Sequence, residues 1–328
     1  MAKTYNWGII GLGRIAHKFA QDLRHVPNAR LWAVASNSKE RADVFAKEYN
    51  APHAFGTYEE IVDCPDLDIV YIAMPHVGHC ENTVLCLRHK IPVLCEKPLA
   101  MNMEEARRMF QASRENQTFF MEAMWTRFLP TTHQLLTWIE EGALGQILGV
   151  KADFGFRAPV DPEGRLYNPV LGGGALLDIG VYPAFLSLLV FDMPAEIKAA
   201  AHMGSTGVDE EIGAVLSYAD GAMAHLHASI RSKTKTEAFI YGTDAVVHIH
   251  SRWHEATDIS LLAEGQRPLT LHFERSGFGY HYEAVEAMRC LEAGWTESPQ
   301  LPLAFSEKLM ILLDEIRNAA GVPLGPET

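Results

Sequence analysis

Three short stretches carry residues whose types and spacing can bind a nucleotide and move a proton. The first is a glycine turn, Gly11-x-Gly13-x-x-Ala16, placed between an apolar run and an amphipathic helical pattern. The second is Glu96-Lys97-Pro98, and the third sets Asp178 four residues before Tyr182 in an apolar segment. Ammonium, carboxylate and phenol groups are the side chains that general acid–base catalysis uses.

The glycine turn has the order strand, turn, helix that binds the pyrophosphate of a dinucleotide. Gly11 permits the tight turn, Gly13 lets the backbone approach the phosphates, and Ala16 keeps the helix close to the strand. The helix N-terminus, at Arg14 and Ile15, offers free N–H groups to the phosphates. Small residues in such a turn also serve packing alone; we favour dinucleotide binding.

The end of the second predicted strand bears on the choice between NAD and NADP. A carboxylate there would bind the ribose 2′-hydroxyl and repel a 2′-phosphate. The chain instead has hydroxyl, amide and cationic groups, which suit a 2′-phosphate: Ser36, Asn37, Ser38, Lys39 and Arg41. We therefore predict NADP, with NAD possible; the alternative is an ordinary solvated start of a helix.

Two later strand ends add candidate cofactor contacts, because a doubly wound sheet binds its ligand at the carboxyl ends of its strands. Pro75, His76 and His79 follow one of these strands. For His79 a ribose contact and a role in lining its helix are equally weighted, whereas for His76 the lining role is favoured. Lys97 is held by Pro98 and is predicted to be catalytic and to contact the cofactor, with Glu96 as its loop anchor; an ordinary surface lysine is the alternative.

The second half of the chain supplies the expected substrate groups. We predict that three side chains line the substrate site and contact the substrate by stacking and hydrogen bonding: Trp125, Arg127 and Phe156. Asp178 and Tyr182 share a helix face and need partners in so apolar a segment. They are either a structural hydrogen-bonded pair or groups that face the site beside Lys97.

The chain of 328 residues is long enough for two domains. Residues 1–122 alternate strands and helices, which predicts an α/β domain with a doubly wound parallel sheet. Residues 123–328 predict an α+β domain with an open, largely antiparallel sheet for substrate binding and dimerisation.

Bulk properties exclude several classes of partner. The net charge of -13 disfavours nucleic acid and anionic membranes, and we expect no run that spans a bilayer. Five cysteines, none in a Cys-x-x-Cys pattern, predict reduced thiols in a cytoplasmic protein. His248, His250 and His254 are interpreted as sheet-surface residues, so no metal site is predicted.

Taken together, the glycine turn, Glu96-Lys97-Pro98 and the segment from Gly172 to Tyr182 resemble the glucose–fructose oxidoreductase/inositol dehydrogenase/MocA family in order and spacing. The stretch from Met121 to Phe128 is similar to the dihydrodiol dehydrogenase and NADP-linked D-xylose dehydrogenase branch. The resemblance implies a Rossmann domain followed by an open mixed sheet, a catalytic Lys97 and a cis Lys97–Pro98 peptide.

Many members of that family carry histidine where this chain has Tyr182, and the dihydrodiol branch shares the tyrosine. An aspartate that usually follows is absent, since Phe185 and Leu186 occupy that region. The resemblance thus implies Tyr182 as the acid/base. A free tyrosine has a pKa of about 10, which a neighbouring Lys97 ammonium would lower.

We therefore expect an NADP-dependent dehydrogenase that acts on a sugar or a cyclic diol. The alternatives are a non-catalytic dinucleotide-binding sensor or scaffold, and an enzyme acting on an imine or a linear tetrapyrrole. We also expect a homodimer, because Met223, His225 and His227 lie on the polar-aromatic side of one strand of the second sheet, with Trp253 as a further aromatic anchor.

Overall fold

The structure is a computed structural model that describes residues 3–324, and the chain divides into two compact units. The first unit holds the residues up to Trp125 together with Ser276–Glu307; the second holds Thr126–Arg275 and the residues from Lys308 on. The sequence-based boundary after residue 122 thus omits the return of the chain to the first unit. Local patterns give no sign of that return, because it depends on tertiary contacts.

A six-stranded parallel sheet forms the centre of the first unit. Its strands are β1 (Tyr5–Ile10), β2 (Ala29–Ala35), β3 (His53–Phe55), β4 (Ile69–Ile72), β5 (Val93–Glu96) and β6 (Phe120–Ala123). Their order in the sheet is β3-β2-β1-β4-β5-β6, and every pairing is parallel. The predicted doubly wound sheet is confirmed, and its strand order reverses between β1 and β4, where such sheets bind ligands.

Helices connect these strands and bury one face each. They are α1 (Arg14–Leu23), α2 (Lys39–Tyr49), α3 (His79–Arg88), α4 (Met103–Asn116) and, after the chain returns, α7 (His281–Glu292). In α1 the buried residues Ala16, Phe19 and Leu23 recur at helical spacing. The carboxylate of Asp22 on α1 accepts the backbone N–H groups of Phe278 and Tyr280 at 2.8 Å each, which fixes the entry into α7.

An eight-stranded sheet forms the centre of the second unit. Its strands are β7 (Ile147–Gly155), β8 (Glu196–Met203), β9 (Asp209–Ser217), β10 (Met223–Ser229), β11 (Ala238–Gly242), β12 (Ala245–Ile249), β13 (Ile259–Ala263) and β14 (Leu269–Leu271). Their order is β14-β13-β12-β11-β7-β10-β9-β8. The prediction of a largely antiparallel sheet is confirmed; β10 pairs with β7 in parallel, which makes the sheet mixed. Strand β8 was not predicted from the sequence.

The two faces of this sheet differ as predicted. On β10, Ala224, Leu226 and Ala228 are buried, whereas Met223 and His225 are exposed. Trp253 is not an exposed anchor: it is 2% exposed, and its indole Nε1 donates a hydrogen bond to a backbone carbonyl of β7. The expectation that Trp253 contributes to an interface is therefore wrong.

Helices α5 (Pro130–Glu140) and α6 (Val181–Phe191) belong to the second unit, and α8 (Leu303–Ala319) leads the chain into it from the first. A π-helical turn, Leu176–Gly180, precedes α6. By length and composition alone, Pro169–Phe191 is apolar enough to cross a membrane, a candidate that was not anticipated from the sequence. Of its most apolar window 83% is buried, as in a core helix.

Candidate active site

The glycine turn after β1 leaves open space at the start of α1. Gly11 has φ +87°, and a Cβ there would lie 2.7 Å from Met74 Cβ, so only glycine fits without strain. Gly13 is exposed, and a Cβ at that position would meet nothing within 4 Å. Arg14 and Ile15 open α1, and no side chain within residues 3–324 caps that helix. The free N–H groups and the open space suit a phosphate.

The segment after β2 places one of its two cations toward the glycine turn. Ser36 is buried, and its Oγ accepts the Ser38 N–H at 3.3 Å. Ser38 caps α2 by accepting the Arg41 N–H at 3.3 Å. The Arg41 guanidinium reaches the Leu12 carbonyl at 3.5 Å, whereas Lys39 forms an ion pair with Asp43 on its own helix. Asn37 is exposed beside them.

The His79 ring lies within hydrogen-bond distance of two loops of the first unit. It is fully buried, its Nε2 lies 2.9 Å from the Met74 carbonyl and its Nδ1 lies 3.0 Å from the Pro98 carbonyl. Burial lowers its pKa. This placement agrees with the alternative in which His79 lines its helix. A contact between His79 and the cofactor ribose stays a prediction, and the burial of the ring argues against it. His76 is buried next to it, with ring centroids 5.8 Å apart, and follows Pro75.

The loop that carries Lys97 is anchored by buried carboxyl groups. The Lys97–Pro98 peptide is cis, as the resemblance implies. Glu96 accepts the Lys97 backbone N–H at 3.1 Å and the Tyr71 hydroxyl. Burial, then the neighbouring carboxylates of Glu96 and Asp22, raises the pKa of Glu283 well above its usual range.

Glu122, at the end of β6, is a third buried carboxyl group near this loop. It accepts the Ser306 hydroxyl at 2.7 Å, and the Leu99 backbone N–H also bonds to it. Burial raises its pKa to about 7. Neither Glu122 nor Glu283 was predicted to lie near the Lys97 loop. The sequence signal for Glu122 is a carboxylate inside the apolar strand Phe120–Ala123, because a buried carboxylate needs hydrogen-bond partners.

Trp125 and Arg127 lie in a short 3₁₀ turn, Trp125–Phe128. Trp125 is the last residue of the first stretch of the first unit, whereas Arg127 belongs to the second unit. The Trp125 ring stacks on Tyr280, with centroids 4.6 Å apart and an interplanar angle of 26°. Tyr280 was not predicted, because its position beside Trp125 follows from the chain's return at residue 276.

The helix with Asp178 and Tyr182 is fixed at its start by Asp209. The Asp209 carboxylate accepts the Leu176 N–H at 2.7 Å, and its burial raises its pKa to about 6. Asp178 lies in the π-helical turn, and its Oδ1 accepts a hydrogen bond from Arg165 at 2.7 Å. The partner that the unit gives Asp178 is therefore a cation in the preceding loop. Neither partner was predicted: Arg165 lies in the preceding loop, 13 residues before Asp178, and Asp209 lies at the start of β9, 33 residues after Leu176.

Aromatic rings surround Tyr182, which is 5% exposed. Phe154 lies 5.5 Å and His254 5.2 Å from it, measured between ring centroids. Phe154 and His254 stack on each other at 4.1 Å, and Phe156 is 6.2 Å from Phe154. His254 is buried, so its interpretation as a sheet-surface residue is wrong. We call Phe154, Tyr182 and His254 the aromatic cluster.

Comparisons with known proteins place the chain in a family. A model described as an oxidoreductase family with an NAD-binding Rossmann fold matches residues 5–124. A second model, the GFO/IDH/MocA C-terminal domain, matches residues 132–248. The chain belongs to the GFO/IDH/MocA oxidoreductase family.

Relatives in this family are dehydrogenases and reductases. The trans-1,2-dihydrobenzene-1,2-diol dehydrogenase of Danio rerio is 37% identical over 328 residues, covering 96% of this chain and 97% of the relative. A 3-ketoreductase from Actinomadura kijaniata, solved with NADP and TDP-benzene, has a TM-score of 0.86 at 25% identity, covering 97% of this chain and 98% of that chain. A levoglucosan dehydrogenase solved with NADH has a TM-score of 0.88 at 21% identity, covering 98% and 100%.

The GFO/IDH/MocA assignment agrees with the groups that the two units present. A nicotinamide dinucleotide fits the first unit, where Gly13 leaves open space before the uncapped start of α1. The family model is described as NAD-binding, which supports the cofactor class. The similar solved structures hold NADP or NADH, so they do not separate the two. The second unit presents a carboxylate and a phenol on one buried segment.

Proposed function

We propose that this protein oxidises a secondary alcohol of a cyclic diol or a sugar and passes the hydride to NADP. The observation that carries the proposal is Tyr182, a phenol held in the aromatic cluster one turn after the ion-paired Asp178. Flat apolar rings suit a cyclic substrate, and a phenol is a group that can take the hydroxyl proton. The diol dehydrogenase named among the relatives supports the substrate class.

Each residue has a stated role in this proposal. Tyr182, as phenolate, accepts the hydroxyl proton of the substrate, and the Lys97 ammonium favours the phenolate by its charge. Asp178 orients a substrate hydroxyl or Lys97, while Trp125, Arg127 and Phe156 wall the substrate. The nicotinamide, when bound, supplies the acceptor for the hydride.

The cofactor contacts follow the groups of the first unit. The glycine turn with Arg14 and Ile15 holds the pyrophosphate, and Arg41 with Ser36, Asn37 and Ser38 holds the 2′-phosphate of NADP. Pro75, His76, Glu96 and Lys97 complete the set, with His79 behind them.

The assembly and the compartment are part of the same proposal. Met223 and Tyr241 are 40% and 39% exposed, and both pair with Gly149, so they flank one position on the open face of the second sheet. A second copy of the chain covers this apolar patch and makes a homodimer. The five cysteines, all within the described residues, are free and buried, which supports a reducing cytoplasmic location.

A substrate screen with matched tyrosine variants tests the function. Purified protein is assayed with NADP and NAD against aldoses, inositols and cyclic diols, by the absorbance of the reduced cofactor. Tyr182→Phe is expected to lower turnover by about 10²-fold or more, the scale of one general acid–base group. Tyr218→Phe removes another buried hydroxyl of the same unit and serves as the control.

The outcomes separate the enzyme from the non-catalytic alternative. Cofactor binding without turnover on any alcohol in the screen would favour a dinucleotide sensor. A Tyr182→Phe variant that turns over like wild type would assign Tyr182 to packing and overturn its role as the acid/base.

A further inference from the structure

His254 lies where a second acid–base group is useful. Its ring stacks on Phe154 and stands 5.2 Å from the Tyr182 ring, and its backbone carbonyl accepts the Thr126 hydroxyl at 2.8 Å. The loop position is therefore fixed from two sides. Imidazole is the side chain whose unperturbed pKa lies nearest to neutral pH.

Charged groups lead from His254 toward the surface of the second unit. His254 Nε2 is 3.7 Å from the Glu255 carboxylate, which is buried and pairs with both Arg252 and Arg275. Those two arginines are about half exposed or more, at 64% and 47% for their side chains. A carboxylate beside an imidazole favours its protonated form, so this neighbour prepares His254 to accept a proton.

Two carboxylates lie along the helix that carries Tyr182, and each has a partner in this unit. Asp178, four residues before it, has the Arg165 cation at 2.7 Å. Asp209 lies at the start of the same helix and bonds the Leu176 N–H. His254 is the imidazole whose ring contacts the phenol ring of Tyr182 in this unit.

We propose that His254 is the proton acceptor for Tyr182 and acts on the substrate only through that tyrosine. This rests on the proposed alcohol oxidation. The substrate O–H bond breaks and a phenol O–H bond forms on Tyr182, while the hydride leaves the carbon for the oxidised nicotinamide. The phenol O–H bond then breaks, an N–H bond forms on the imidazole, and the imidazolium releases its proton to water. Tyr182 is then a phenolate again.

The test compares two histidines with matching surroundings. His254→Phe keeps a ring against Phe154 and removes the titrating nitrogens. His248 stacks on Phe239 at 4.3 Å and has Nε2 3.6 Å from the Glu237 carboxylate, so His248→Phe is a control with the same kind of neighbours away from Tyr182. Turnover and KM are measured from about pH 5.5 to about pH 9.5, so that the profile covers both sides of neutrality.

The expected result is a loss confined to His254→Phe. Its turnover at pH 7 falls by about tenfold or more, its KM changes little, and the ascending limb of the wild-type profile moves to higher pH. Millimolar imidazole restores part of the turnover in His254→Gly, whereas pyrrole, a ring of the same size without a basic nitrogen, does not. If the Phe variant does not fold, by circular dichroism, His254→Gln takes its place.

The result that overturns the proposal is distinct from the failure of the proposed function. Wild-type turnover and pH profile in His254→Phe, together with an inactive Tyr182→Phe, would remove His254 from the proton path and leave Tyr182 as the acid/base. An active Tyr182→Phe would instead refute the proposed mechanism, and the relay with it. Equal losses in His254→Phe and His248→Phe would assign both effects to stability.

Discussion

Arg165 donates a hydrogen bond to the carboxylate of Asp178 at 2.7 Å. Because Arg165 belongs to the loop before the π-helical turn, this one ion pair ties the loop to the helix that carries Tyr182. The carboxylate is buried and the guanidinium is 40% exposed, so the pair lies at the edge of the unit's interior. Its loss should affect both stability and the orientation of Asp178.

We expect Arg165→Gln to lower the free energy of unfolding by about 1–3 kcal/mol, because a buried carboxylate loses a cationic partner. Urea denaturation measures the change. Lys308→Gln, which breaks the exposed pair with Asp192, should cost less than about 1 kcal/mol. In a double-mutant cycle, Arg165→Gln should cost less once Asp178 is Asn; strictly additive losses would show that the two side chains are not coupled.

The buried carboxyl group of Glu122 should make stability depend on pH. Burial raises its pKa from 4.5 to about 7, so the folded state holds a proton that the unfolded chain releases. Its contribution is fully present below pH 4.5 and is lost as the pH rises through 7, by roughly 3 kcal/mol in total. Glu122→Gln should lack this slope and be the more stable form at pH 8. Parallel stability curves for the two proteins would contradict it.

We expect that any side chain at Gly174, just before the helical segment that carries Tyr182, lowers the stability of the fold. It has φ +123°, and a Cβ there would collide with the Asp209 carboxylate that bonds the Leu176 N–H. Gly174→Ala is therefore expected to cost more than 2 kcal/mol of stability, roughly, from strain and a lost bond together. Gly207→Ala, at φ +86° with open space around it, should cost about 1 kcal/mol. Equal thermal shifts would show that Asp209 does not depend on Gly174.

The sequence was sufficient wherever a local pattern decides the structure. The glycine turn, the helix start after β2 and the alternation along β10 each depend on residues close together in the chain, and each is present. Strand β8 was missed because alanines fill its centre and it lies at the sheet edge, where few side chains are buried.

The parts of the site that were missed depend on residues distant in sequence. Tyr280 reaches Trp125 only because the chain returns to the first unit, and Asp209 caps a helix that precedes it by 33 positions. His254 was assigned to a sheet surface because a histidine pattern in a strand-rich region resembles an exposed face. Its burial results from stacking on Phe154, a ring 100 residues away in the chain, which no local period reveals.

The apolar patch of Met223 and Tyr241 should hold two copies together. We expect light scattering at micromolar protein to give the mass of a dimer. Met223→Glu should produce the monomer, because it places a charge where the partner's apolar surface would pack. Val44→Glu changes an apolar residue of the first unit that is more exposed than Met223, at 63% against 40%, and should leave the mass unchanged. A monomeric wild type would refute the homodimer.

The two cations after β2 should differ in their effect on the cofactor. Arg41 reaches the Leu12 carbonyl beside the glycine turn, while Lys39 is paired with Asp43 on α2, so Arg41 is the cation placed for a 2′-phosphate. We expect wild type to bind NADP more tightly than NAD. Arg41→Ala should weaken NADP about 10- to 100-fold, the scale of one charge-assisted contact, and leave NAD binding unchanged. Lys39→Ala should change NADP binding less than about threefold.

Fluorescence titrations of each protein with both cofactors measure these differences. Equal or tighter binding of NAD by wild type would remove the preference, and equal losses in the two variants would mean that no single cation recognises the phosphate.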